Sequence, residues 1–287
     1  MAPLDNLRQF APALIVIPAR LSSQRLPRKM LLAETGRPLI QHTWESARKA
    51  TRSARVIVAT DSPEIAAAVK GFGGEAVMTS PDAPSGTARI VEALPGLPAA
   101  DVIVNVQGDE PELAAEAIDL AIGLLERCPD AGMATLVTPL RSVEVLHEPS
   151  VVKAELTPWR HRGPDGGWTG HAVTDAWRAI TFSRATVPFA REWNDSLLTA
   201  SPPLYWQHVG LYAYRRSMLE RWNELPESRL ATVESLEQLR AVEAGIPIVA
   251  GAIDHATRGI DTAKDYAAFV ARLAGGAASG PPPRPIP

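Results

Sequence analysis

Short apolar runs alternate with amphipathic stretches through the first half of the chain, and this alternation confines it to an α/β architecture. Residues 13–18, 55–60, 75–78, 102–106 and 133–139 have the length and composition of buried strands. Helical spacings lie between them. Leu39, Ile40, Thr43, Trp44 and Ala47 follow Pro38, and Ile118, Ala121, Ile122 and Leu125 follow Pro111 with its acidic first turn. Strands separated by helices predict a mixed, mostly parallel sheet with right-handed crossovers, flanked by helices.

After Ser150 the texture changes. Residues 151–156, 179–184 and 207–214 read as strands with no helix between them, which predicts antiparallel additions and an arm over residues 150–225. The stretch Trp159-Arg-His-Arg-Gly-Pro-Asp-Gly-Gly-Trp-Thr-Gly170 is rich in turn formers and reads as a loop leaving the core. Helical spacing returns at 233–244 and 262–273, flanking a strand at 246–250, so the last segment should rejoin the sheet. The expected organisation is a single domain over residues 1–274. The Gly/Ala/Pro tract 275–287 cannot bury enough apolar surface to offset its ordering and reads as a disordered tail.

A chain of 287 residues, 46% hydrophobic, is long enough to bury a proper core. Its net charge of -3 argues against general nucleic-acid binding, which leaves a basic footprint over a whole face. One cysteine, Cys128, excludes an internal disulfide framework and a multi-thiolate zinc site, and suits a reducing compartment. No apolar run reaches the ~18 residues of a membrane span, and the N-terminus lacks the pattern of a secretory signal, so the expected location is the cytoplasm.

Against this mild overall charge, one local feature stands out. The first apolar run leads into Arg20-Leu-Ser-Ser-Gln-Arg-Leu-Pro-Arg-Lys29, which places Arg20, Arg25, Arg28 and Lys29 just beyond a strand's carboxyl end. Ligands of open α/β sheets bind at that edge, and clustered cations there ask for a polyanion such as a nucleoside triphosphate. A solvated basic loop is the ordinary alternative. The run 102–106 likewise delivers Asp109 and Glu110 beside Gly108. Magnesium is held by one or two carboxylates together with substrate phosphates, so Asp109 reads as a metal ligand, and Glu110 as dressing of the next helix.

Other motifs serve two readings. Ser85-Gly-Thr87 either contacts a ribose or base or simply caps a helix, and Asp261 either caps the last helix or brings a second carboxylate to the metal. His208, Gly210, Tyr212 and Tyr214 share one face of a strand and can line a sugar pocket, although a lone histidine is more often structural. Gly71-Phe-Gly-Gly-Glu-Ala76 matches the dinucleotide fingerprint, but it ends a helix and precedes a strand. A true fingerprint does the reverse, so these glycines read as a helix C-cap and turn, and NAD is rejected; no P-loop is present either.

The ordered set Pro18-Ala-Arg-Leu-Ser-Ser-Gln-Arg-Leu-Pro-Arg-Lys29, Ala59-Thr-Asp61, Ser85-Gly-Thr87, Val104-Asn-Val-Gln-Gly-Asp-Glu-Pro111, Phe182-Ser-Arg-Ala185, His208-Val-Gly-Leu-Tyr212, Leu236-Glu-Gln-Leu-Arg240 and Gly259-Ile-Asp-Thr262 resembles the 3-deoxy-manno-octulosonate (Kdo) cytidylyltransferase family. The resemblance implies a nucleotide-diphospho-sugar transferase fold of Rossmann-like α/β type, with an antiparallel dimerisation arm and a homodimer. It implies magnesium-dependent coupling of CTP to a 3-deoxy-2-ulosonic acid, giving pyrophosphate and an activated sugar for lipopolysaccharide assembly. By residue carry-over, Arg20, Arg25 and Lys29 look like the triphosphate grip, and Ser85, Thr87 and Gln107 look like cytidine contacts. Asp109 and Asp261 look like magnesium ligands and, with Arg25 and Lys29, the catalytic set. Arg184, His208, Tyr212, Glu237 and Gln238 resemble the sugar pocket.

The chain departs from the family pattern at Ala83, where a histidine is usual, at Ala88, where an acid is usual, at Glu148-Pro-Ser150, and at Ala231. These departures bear on the nucleobase and the sugar. The neighbouring readings are a cytidylyltransferase for 8-amino-Kdo, sialic or pseudaminic acid, and a non-catalytic nucleotide-binding relative.

Overall fold

A computed structural model of the protein describes residues 12–162, 167–257 and 259–275. Its strands are β1 (Ala13–Ala19), β2 (Ser53–Thr60), β3 (Glu75–Met78), β4 (Val102–Asn105), β5 (Met133–Pro139), β6 (Lys153–Arg162), β7 (Trp168–Ser183), β8 (Trp206–Arg215) and β9 (Ile248–Ala252). Its helices are α1 (Leu39–Ala47), α2 (Pro63–Gly71), α3 (Gly86–Ala93), α4 (Ala115–Arg127), α5 (Val143–His147), α6 (Arg216–Glu220), α7 (Arg229–Glu234), α8 (Gln238–Glu243) and α9 (Ala263–Ala274). The expected tail, beyond Gly275, lies outside the described residues, as does the centre of the expected loop at 163–166. No helix among the described residues is long and apolar enough to cross a membrane.

The chain divides into two compact units. The first gathers residues up to Asp119 with the returning segment from Thr257, and the second holds Leu120–Ala256. In the first unit the strands are parallel and run in the order β3-β2-β1-β4. β1 takes an interior place because it is apolar on both faces: Leu14, Ile15, Val16 and Ile17 are at most 2% exposed. Burying each such side chain contributes roughly 1.5–3 kcal/mol. The chain moves outward from β1 to β2 and β3, then returns to β4 on the other flank of β1. The order therefore reverses between β1 and β4, and a crevice opens at the carboxyl ends of strands at such a switch point.

Local chemistry sets the element ends. Ser62 caps α2 by accepting from the Ile65 N–H, Pro63 occupies the first turn, and Gly73 turns the chain into β3 with φ +83°. The Gly71–Ala76 glycines thus close a helix, as their context predicts. One expectation is corrected here. α4 begins at Ala115, so Pro111 and its acidic neighbours form turns ahead of the helix, with Leu113 N–H bonded to the Glu110 carbonyl.

The second unit is mixed, in the order β8-β5-β9-β7-β6 with a further β6–β8 pairing, so its circuit of strands closes on itself. β5–β8, β6–β7 and β7–β9 are antiparallel, as the helix-free texture predicts. Two expectations change. Strands occupy both ends of the supposed loop at 159–170: β6, with Trp159 2% exposed, runs on to Arg162, and β7 begins at Trp168. The helix expected at 233–244 is two helices. Ser235 is left-handed, φ 52°, and Leu236 N–H reaches back to the Ala231 carbonyl, a helix-ending bond that buries Leu236 and leaves Val233 in solvent.

Candidate active site

β1 delivers Arg20, exposed, at its carboxyl end, and the chain bends from there to Lys29. Leu26 fastens the bend by packing with Leu39, Ile260, Tyr266 and Phe269. That anchor leaves Arg25 outside and turns Lys29 inward, where it is 7% exposed. Arg28 adopts a left-handed conformation, φ 56°, and pairs with Glu64 on α2. A depression of about 350 Å³ lies over the bend, lined by residues 20–24 with Pro27 and Arg28.

Asp109 arrives from the other side of the switch point. Gly108 passes so close to β1 that a Cβ there would stand 3.1 Å from the Pro18 carbonyl and 3.0 Å from the Met30 Sδ. Only glycine fits without moving backbone. Ile260 N–H then donates to the Asp109 carbonyl at 2.8 Å, which draws the returning segment against this turn. The result is convergence. Lys29 Nζ lies 2.6 Å from Asp109 Oδ2 and 3.2 Å from Asp261 Oδ1, and Arg25 reaches the same Asp261 oxygen at 3.1 Å.

The geometry separates the paired readings of the sequence. Thr262 caps α9 in a capping box with Asp265, which frees the Asp261 carboxylate to face the cations. Asp109 and Asp261 present hard oxygens toward one ammonium, and this donor chemistry fits magnesium, which takes one or two carboxylates along with phosphate oxygens. Glu110 does not dress a helix. It accepts from Thr257 Oγ1 at 3.0 Å, and burial, reinforced by repulsion from Asp109, pushes its carboxyl up to about 7. Ser85 does cap α3, accepting from the Ala88 N–H at 3.1 Å, and Thr87 beside it is buried. Gln107 approaches the same helix start: a Cβ on Gly86 would lie 3.8 Å from Gln107 Oε1.

The remaining candidates lie in the second unit. Arg184, just past β7, donates through Nε to the Glu234 carbonyl at 2.7 Å and through Nη1 to the Pro149 carbonyl at 3.0 Å. His208 on β8 bonds to Thr135 Oγ1 at 3.0 Å and packs on Phe182 and Tyr212, with ring centroids 4.9 and 5.4 Å away. Desolvation holds its pKa down at about 3, so the ring is neutral. Glu237 precedes α8, and Gln238 opens it with a buried Nε2 that has no hydrogen-bond partner among the described residues. His208 and Tyr212 are thus brought together, and Arg184 is tied to Glu234.

Two arrangements escaped the sequence reading. Lys153, fully buried, donates to the carbonyls of Glu148, Val151 and Arg184 at 3.0, 2.7 and 2.6 Å, and burial lowers its pKa. Its only signal was a lysine inside an apolar run. The other is a buried pair of Asp61 with Arg89, 3.2 Å apart, behind the cationic bend. Cys128 is buried, and burial pushes its thiol up to about 12.

A sheet that reverses at β1/β4, with cations and paired carboxylates at that point, defines a nucleotidyltransferase class of site. The sequence matches the cytidylyltransferase family profile over residues 14–248, and the chain belongs to that family. It is 45% identical, over 91% of its length and 98% of the relative's, to 3-deoxy-manno-octulosonate cytidylyltransferase of Rhodopirellula baltica. It is 40% identical, over 91% of its length and 98% of the relative's, to 8-amino-3,8-dideoxy-manno-octulosonate cytidylyltransferase of Shewanella sediminis. Among solved structures, that of CMP:2-keto-3-deoxy-manno-octonic acid synthetase complexed with CTP shares 37% identity, covers 93% of this chain and 100% of its own, and superposes with a TM-score of 0.78.

Proposed function

We propose that this enzyme couples CTP to a 3-deoxy-2-ulosonic acid, Kdo in the first instance, releasing pyrophosphate and a CMP-sugar for lipopolysaccharide assembly. The observation that carries the proposal is the meeting of Asp109, Asp261 and Arg25 around Lys29 at the end of β1. Arg20, Arg25 and Lys29 grip the triphosphate and offset the charge that grows on the leaving pyrophosphate. Asp109 and Asp261 would hold magnesium, which when bound withdraws charge from the α-phosphate and eases ionisation of the attacking sugar hydroxyl. Ser85, Thr87 and Gln107 orient the cytidine around the start of α3. With reactants held in line, little covalent chemistry is left to side chains.

Arg184, His208, Tyr212, Glu237 and Gln238 form the sugar pocket in this reading. Since His208 is neutral, it meets the sugar carboxylate as a hydrogen-bonding partner, and the positive charge comes from Arg184. The working form is a cytoplasmic homodimer paired through the arm, where Phe189 is 85% exposed and Ile180 and Trp193 are also in solvent; a monomer mass by light scattering would remove that part.

The likeness to the 8-amino enzyme supports a second reading, in which the amino sugar replaces Kdo. Pyrophosphate release over a panel of 2-keto-3-deoxy acids, each with the four nucleoside triphosphates, decides between them. Asp109→Asn keeps the side chain's shape and removes its charge, so turnover should fall roughly 10²-fold or more with the fold intact. Wild-type turnover in that variant refutes the assignment. Tight CTP binding without metal-dependent pyrophosphate release would mark a non-catalytic relative.

A further inference from the structure

A buried ion pair sits behind the cationic bend, on residues to which the proposed reaction gives no part. Asp61 follows β2 and Arg89 lies on α3, and their side chains are 9% and 3% exposed. Asp61 Oδ1 accepts the N–H of Leu21, the residue after Arg20, at 3.1 Å, while Oδ2 accepts from Arg89 Nη2 at 3.2 Å. Arg89 Nη1 donates to Thr79 Oγ1 at 2.6 Å and to the Ser80 carbonyl at 3.1 Å, just beyond β3. One carboxylate and one guanidinium thereby tie together the carboxyl ends of β1, β2 and β3 and the helix that Ser85 caps.

Burying such a pair costs desolvation that well-packed apolar side chains would avoid. What apolar side chains cannot do is accept a backbone N–H at a fixed point beside Arg20. We infer that Asp61, held by Arg89, is a positioning residue for the triphosphate grip: it fixes the backbone at Leu21 and sets the spacing between that grip and the start of α3. The inference rests on reading the bend as a triphosphate site. A ligand that is gripped at its phosphates and contacted at its nucleoside needs those two contacts at a constant separation.

The test uses the full chain and measures calorimetric affinity for inorganic tripolyphosphate and for CTP in magnesium buffer, steady-state KM and kcat, and thermal midpoint. Asp61→Ala removes both acceptors, Asp61→Asn keeps an oxygen for Leu21 but drops the charge, and Arg89→Met removes the tether while keeping bulk. Asp61→Ala should weaken tripolyphosphate binding and raise the KM for CTP by roughly ten- to hundred-fold, with kcat at saturation changing far less. Asp61→Asn should lie between it and wild type. The Asp61→Ala, Arg89→Met double variant should be no worse than Asp61→Ala alone, since the residues act as a unit. If Asp61→Ala fails to fold, Asp61→Asn and Arg89→Lys supply the same comparison. Variants with lowered thermal midpoints but wild-type affinities at low temperature would show a merely structural pair and overturn the inference, leaving the proposed function standing. Failure of the wild-type protein to bind either tripolyphosphate or CTP would overturn the reading of the bend and the inference with it.

Discussion

Burial sets the charge state of His208, and this has a consequence for the stability of the protein. Its folded pKa, near 3, lies below the ordinary 6.5, so the unfolded chain takes up the proton more readily. The stability associated with the neutral ring is therefore complete above pH 6.5 and drains away as the pH falls toward 3, at no more than about 1.4 kcal/mol per pH unit. His208→Gln retains a hydrogen-bonding group toward Thr135 Oγ1 and cannot titrate. Its denaturant midpoint should drop less between neutral and mildly acid pH than that of the wild type; an identical drop would refute the assignment of the acid sensitivity to this ring. At this scale the sequence was legible where charge follows an apolar strand, as at Arg20, Lys29 and Asp109. It was silent on Lys153, Glu234 and the Asp61–Arg89 pair, whose partners lie in other elements, 28 residues apart for Asp61 and Arg89 and 50 for Arg184 and Glu234. A polar residue's burial depends on the fold, and spacing along the chain does not reveal it.

Among the elements, α9 links stability to the site through its first turn. Thr262 Oγ1 accepts from the Asp265 N–H, and the Asp265 carboxylate accepts from the backbone of Thr262 at 2.8 Å and of Asp261 at 3.3 Å. The capping box therefore holds the backbone from which the Asp261 carboxylate projects. Thr262→Ala should cost about 1 kcal/mol in urea unfolding. It should also lower pyrophosphate release more than such a loss alone would explain, because Asp261 loses part of its support; full activity at the expected destabilisation would show that the box serves the helix only. The sequence offered Asp261 as a cap for this helix, whereas Thr262, one residue on, takes that place with Asp265. The break between α7 and α8 was not legible, because nothing in the apolar spacing of residues 233–244 marks Ser235 for a left-handed turn. Nor was the extent of β6, where the turn formers beyond Arg162 masked a strand that carries the buried Trp159.

For the whole molecule the governing fact is that the first unit is discontinuous, closed by a segment that returns after Ala256. The βαβ alternation made the parallel sheet legible, but the junction of its far ends is a tertiary matter: Lys29 and Asp261 are 232 residues apart. The same segment supplies Ile260, Tyr266 and Phe269 to the cluster that anchors Leu26, so the cationic bend is seated on side chains from the end of the chain. Phe269 is 2% exposed and meets the His42 ring edge-on at 5.2 Å. Phe269→Ala should cost about 3–5 kcal/mol through lost burial and the cavity left behind. It should also raise the KM for CTP, because Leu26 loses a wall and the bend loses its fixed seat. Ile65→Ala provides the control: Ile65 is equally buried, on α2, in the same unit but outside that cluster, and its loss should cost about 2–5 kcal/mol with little effect on the KM. Should both variants raise the KM alike at temperatures where each remains folded, the effect would belong to general loosening of the unit, and the particular bond between the returning segment and the bend would be refuted.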